Sequence, residues 1–134
     1  MNATAAQHAS QTPLERELEE VRERYPGASM RQISGQWLVS VPDVQVPPGW
    51  NKSVVTLHFF VPAGYPHANP DCFYVDEDMR LANGCEPQNS ALNLLPELGT
   101  RLWFSYHVSR PWKPGRDRLL TWVATCRGRL ADIR

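Results

Sequence analysis

Apolar residues recur along the chain with two periods, and the change of period marks out its elements. Leu14, Leu18, Val21 and Tyr25 recur at helical spacing and make one apolar stripe, while most Glu and Arg residues between them face water. Thr12 is placed to cap this helix, Pro13 suits its first position, and Glu15 completes a capping box. Pro26-Gly27 ends it. The period then drops to two. "MRQI" and "QWLVSV" flank Ser34-Gly35, a hairpin signal, and Trp37, Val39 and Val41 alternate onto one face. A proline-rich connection, "PDVQVPPGWN", leads into "SVVTLHFFV", the strongest strand pattern. It sets Val55, Leu57, Phe59 and Val61 against Val54, Thr56, His58 and Phe60. After the "PAGYPHANP" turn, "DCFYV" predicts a fourth short strand. From Asp76 to Pro111 the pattern carries little periodicity, and roughly 35 residues of loop in a compact domain point to function. Leu119, Val123, Cys126 and Leu130 then return to helical spacing and predict a closing helix over 115–132.

The order is helix, four strands, irregular segment, helix. Hairpin connections make the sheet an antiparallel meander, and helices packed on it make the class α+β. Residues 1–11, "MNATAAQHASQ", are small and polar and read as a disordered lead-in to a single domain over 12–134. The 134 residues suit one core, and a hydrophobic content of 42% is enough to fill it. Lys+Arg and Asp+Glu balance at 14 each, so no global basic field invites nucleic acid or anionic lipid. No apolar run approaches the roughly 20 residues of a membrane span, and the N-terminus has no signal-peptide pattern. Three cysteines without regular spacing argue against a disulfide framework and fit a reducing cytosol. The expectation is a cytoplasmic protein.

Several motifs in this order resemble the ubiquitin-conjugating enzyme superfamily: Tyr65-Pro66 with Pro70, then "FYV", then Trp112-Lys-Pro114 leading into the last helix. "VPPGWN" at 46–51, "GYPHANPD" at 64–71 and "WFSYH" at 103–107 are similar to its prokaryotic family E, and the likeness covers roughly residues 13–132. The resemblance implies a bacterial protein that takes the C-terminal carboxyl of a ubiquitin-like protein from an activating enzyme. It would hold that carboxyl as a covalent acyl intermediate and pass it to a target. A deubiquitinase-like peptidase could act alongside. No cofactor is implied, because the activating enzyme consumes the ATP. The same fold without a nucleophile would be a non-catalytic module that only binds a ubiquitin-like protein.

This sequence departs from the superfamily at the active site. The usual cysteine, about eight residues before the Trp-x-Pro, is missing; Phe104 holds that place with Ser105 beside it, and no His-Pro-Asn occurs. Ser105 is the first candidate nucleophile. A hydroxyl needs a base, and His107 follows two residues on, where extended chain points side chains the same way. Imidazole can take that proton and return it to a leaving group. Asp117 is a candidate to orient the ring, and a groove is expected around Ser105. Otherwise Ser105 and His107 bond only local backbone. Cys85, in "LANGCEPQN", is the second candidate, a thiol in the irregular segment with Glu86 rather than a base beside it. Cys72 reads as a strand residue and Cys126 as part of the last apolar stripe, both as small hydrophobes. His67, Cys72, Cys85 and His107 are of zinc-ligand type, but their spacing is not that of structural zinc sites. Trp50, Trp103, Trp112 and Trp122 are expected to pack.

Overall fold

The computed structural model describes residues 11–134, so the lead-in expected over 1–11 lies, except for Gln11, outside the described residues. Helix α1 spans Pro13–Arg24, and the Thr12 hydroxyl accepts the Glu15 N–H at 3.1 Å, as a cap should. Glu15 answers through the Thr12 hydroxyl rather than the backbone N–H of a full capping box. Leu18 and Val21 are buried, with Leu14 and Tyr25 packed at the edge of the core. Glu17 departs from the expected polar face. It is buried, and one carboxylate oxygen accepts from the Tyr65 hydroxyl at 2.5 Å and the Leu119 N–H at 2.8 Å.

Six strands follow: β1 Ser29–Ile33, β2 Gln36–Gln45, β3 Val54–Val61, β4 Phe73–Val75, β5 Ser90–Leu95 and β6 Gly99–Phe104. They form one antiparallel sheet in the order β1-β2-β3-β4-β6-β5. Ser34 and Gly35 turn the first hairpin with φ of 49° and 81°, the left-handed pair that a two-residue turn needs. The sheet therefore has two strands more than the four expected, and both come from the stretch that read as irregular. Helix α2, Leu119–Ala131, closes the chain.

Helices α1 and α2 pack on one face of the sheet. There Leu18, Val21, Leu57, Phe59, Phe73, Phe104, Trp122, Cys126 and Leu130 form the core, and Phe59 meets Trp122 edge to face. Cys126 is fully buried, as its place on the stripe predicts. Burial of some 25 apolar side chains in this way is the dominant favourable contribution to folding. A smaller cluster of Ile33, Leu38 and Leu95, flanked by Phe60, Tyr74 and Leu98, covers part of the other face. His58 on β3 is also buried, at 4% exposure, with Ser40 2.8 Å from its Nδ1. Desolvation holds that imidazole down at about 4, and the Arg101 charge pushes the same way. No helix among the described residues is long and apolar enough to cross a membrane.

Candidate active site

The pairing of β4 with β6 builds the site. Phe73 lies opposite Phe104 in register, and their buried rings stack at 4.9 Å and 12°, which pins the two strand ends together. One residue further, Cys72 N–H donates to Tyr106 O at 2.8 Å, so residue 72 sits beside the 105–106 segment. On the other side of β6, Ser105 N–H donates to Asn89 O at 2.9 Å, just before β5 begins. Ser105 is thus held by its backbone between two neighbours.

The neighbouring segment is itself tied down. Arg129 of α2 is buried, and its guanidinium donates to Gln88 O at 2.9 Å, Arg134 O at 2.9 Å and Asp132 O at 2.8 Å. It also sits 4.8 Å over the Phe104 ring, a cation–π contact. Burial pulls its pKa down, yet a guanidinium keeps its charge far above neutral pH.

His107 is exposed, and its Nδ1 meets the Asp71 carboxylate in a short hydrogen bond. A carboxylate accepts only, so Nδ1 carries the hydrogen and Nε2 is left free to take a proton. Asp71, not Asp117, is therefore the carboxylate that orients the imidazole. Asp117 is engaged elsewhere. It takes two bonds from Arg110, at 2.7 and 2.9 Å, and one from Lys113 N–H at 2.7 Å, so it braces the turn that carries Trp112 and Pro114. The Arg110 guanidinium, and then the Lys113 amide, hold its carboxyl at about 2.

Cys72 corrects a second expectation. It lies outside the strand, half-buried, with φ of 61°, a left-handed conformation costly for a residue with a β-carbon. The ligating atoms of Asp71, Cys72 and His107 lie within 4.8 Å of one another. Burial pushes the Cys72 thiol up, and the Asp71 charge adds to it. A Tyr106 backbone hydrogen bond and the nearby Ser105 hydroxyl pull the other way. Ser105, half-buried, is thus beside Cys72, and no direct hydrogen bond joins it to His107.

Cys85 is exposed, and its backbone partners, Leu81 and Asn83, belong to its own turn. Neither it nor His67 joins the cluster. Among the described residues, Asp71, Cys72 and His107 are the side chains grouped closely enough to hold a metal. The direct His107–Asp71 bond argues against it, since two ligands on one zinc ion stand roughly 3 Å apart with the ion between them. Ser105 itself is half-buried. A cavity of about 350 Å³ is lined by Pro13, Trp37, Val61 and Tyr65, among others.

The strand ends thus bring a hydroxyl and a thiol, side-chain types that can accept an acyl group, to the neighbourhood of an imidazole held by a carboxylate. Comparison with family models gives a match to Prokaryotic E2 family E over residues 21–132. Comparison with curated proteins and with solved structures gives no match.

Proposed function

Because the chain belongs to prokaryotic E2 family E, and so to a fold family that serves ubiquitin-like conjugation, we propose that it is the acyl carrier of such a pathway. An activating enzyme presents the C-terminal carboxyl of a ubiquitin-like protein. The Ser105 hydroxyl takes that carboxyl as an oxygen ester and passes it to a target. Free His107 Nε2 receives the serine proton and returns it to the leaving group, while Asp71 holds the ring and offsets the imidazolium charge. A deubiquitinase-like peptidase would act on the same ubiquitin-like protein. The observation that supports this reading is the His107–Asp71 pair beside Ser105, just upstream of Trp112 and Pro114.

The test is the bond itself. The protein is mixed with activating enzyme, ubiquitin-like protein and ATP, and the adduct is run with and without excess thiol. An oxygen ester survives thiol and cleaves in mild hydroxide. Ser105→Ala should abolish that thiol-resistant adduct, Cys85→Ala should leave it intact, and His107→Ala should slow its formation by about 10²–10⁴-fold. Binding of the ubiquitin-like protein with no adduct of any kind, every partner being active, would make the chain a docking module instead.

A further inference from the structure

Ester formation at Ser105 leaves one reactive side chain in the same place without a role. Cys72 is not the core cysteine its sequence suggests. Of the three thiols, Cys126 is sealed in the core and Cys85 stands apart on the surface, so Cys72 alone shares the cluster with His107 and Asp71. Its backbone is left-handed, at φ of 61°, a conformation that a residue with a β-carbon rarely adopts. The Cys72 N–H bond to Tyr106 O holds it in place beside the 105–106 segment, with Sγ within 4.8 Å of the His107 ring nitrogen and the Asp71 carboxylate. The thiol thus stands near the imidazole, and Ser105 is its neighbour across the strand ends.

We infer that Cys72 is a second acyl acceptor, which takes the ubiquitin-like carboxyl first, as a thioester, and hands it to Ser105. The inference rests on the acyl-carrier reading above. In the first step Cys72 Sγ attacks the carbonyl carbon held by the activating enzyme, and its proton goes to His107. The new C–S bond replaces the bond to the activating enzyme, whose leaving atom takes the proton back from His107. In the second step Ser105 Oγ attacks the same carbon, and its proton again goes to His107. The C–O bond forms, the C–S bond breaks, and the Cys72 thiolate recovers its proton from the imidazolium. No oxidant or co-reactant is needed.

The order follows from chemistry. Sulfur is the better nucleophile once deprotonated, so it captures the acyl group faster. An oxygen ester is more stable than a thioester, so the transfer to Ser105 runs downhill. Burial pushes the Cys72 thiol up, so a base beside it assists capture.

The experiment compares wild type, Ser105→Ala, Cys72→Ala and the double variant in the adduct assay, each run with thiol and with hydroxide. Ser105→Ala should accumulate a thiol-labile adduct that the double variant lacks, and Cys72→Ala should slow ester formation by tenfold or more. If wild type forms a thiol-resistant adduct while Ser105→Ala forms none, or if the thiol-labile adduct depends on Cys85, the inference fails and the carrier reading stands. No adduct of either kind in wild type would end the carrier reading itself. A second measurement leaves both acceptor side chains in place, with unchanged labelling of Cys85 and protection of Cys126 as the check that His107→Ala is folded. Mass-mapped alkylation should label Cys72 and Cys85 but not Cys126, and His107→Ala should slow labelling of Cys72 several-fold without changing Cys85. Labelling of Cys72 that ignores His107 would overturn the inference.

Discussion

Lowering the pH should destabilise the protein through His58, by an amount the structure sets. The imidazole is buried on β3 at 4% exposure, its Nδ1 bonded to Ser40, and desolvation holds it at about 4 against its ordinary 6.5. Arg101 and Arg31 oppose its charge, and only Asp76 favours it. The folded state therefore keeps His58 neutral where the unfolded chain has already taken up a proton. Stability from this group is fully present above 6.5, falls as pH drops below it, and is lost by about 4. Linkage between those two values gives a loss of about 2 kcal/mol at pH 5 and about 3 kcal/mol at pH 4. The assay is urea denaturation at pH 7.5 and pH 5 for wild type and His58→Gln. The glutamine can still meet Ser40 but does not titrate, and the carboxylates contribute alike to both proteins. Wild type should lose about 2 kcal/mol more than the variant across that interval. Parallel losses, within about 0.5 kcal/mol, would refute the reasoning.

Glu17→Ala should cost about 2–4 kcal/mol in the same assay at pH 7.5, because it strands the Tyr65 hydroxyl and the Leu119 N–H in a buried setting. Glu17→Gln keeps an acceptor and should cost about half as much, and an alanine variant as stable as wild type would count against the bridge. Asp117→Ala should release Lys113 N–H, seen as tenfold or faster amide exchange at that position, while Val123 in α2 stays protected. Unchanged exchange at Lys113 would mean that the carboxylate does not brace the turn.

Much of the scaffold was legible because its periodicity is strong. The stripe Leu14–Leu18–Val21, the hairpin at Ser34-Gly35, the alternation in β3 and the stripe of α2 each report a buried face. Strands β5 and β6 were not, because β5 is an edge strand whose Ala91, Leu92, Asn93 and Leu94 are all exposed. No core selects an alternating pattern there. The turn signal was present, in Pro96 with Gly99 at φ of 96°, but "TRLWF" beside it alternates only at Leu102 and Phe104.

The candidate site divides the same way. Ser105 and His107 could be singled out because they are neighbours in sequence. Asp71 could not be assigned to His107, since the pair is joined only by the β4–β6 register. Cys72 was misread for a local reason: its side-chain type fits a strand, and nothing in "NPDC" announces the left-handed backbone that takes it out of one. Asp117 was plausible by its place before α2, and only the packing of Arg110 and Lys113 around it shows that it is already fully engaged.

The stacking of Phe73 on Phe104 has a consequence for how such an enzyme changes over generations. The stack helps set the separation of residues 72 and 105 through the main chain, with neither the Cys72 nor the Ser105 side chain taking part. Each position can therefore mutate without moving the other. Were both side chains acyl acceptors, as proposed, a lineage that began with a thiol at one strand end could gain a hydroxyl at the other, keep both for a time, and then lose the first. Each intermediate along that path would retain the same stack and the same imidazole. An acceptor could in this way migrate from one strand to its neighbour by single substitutions.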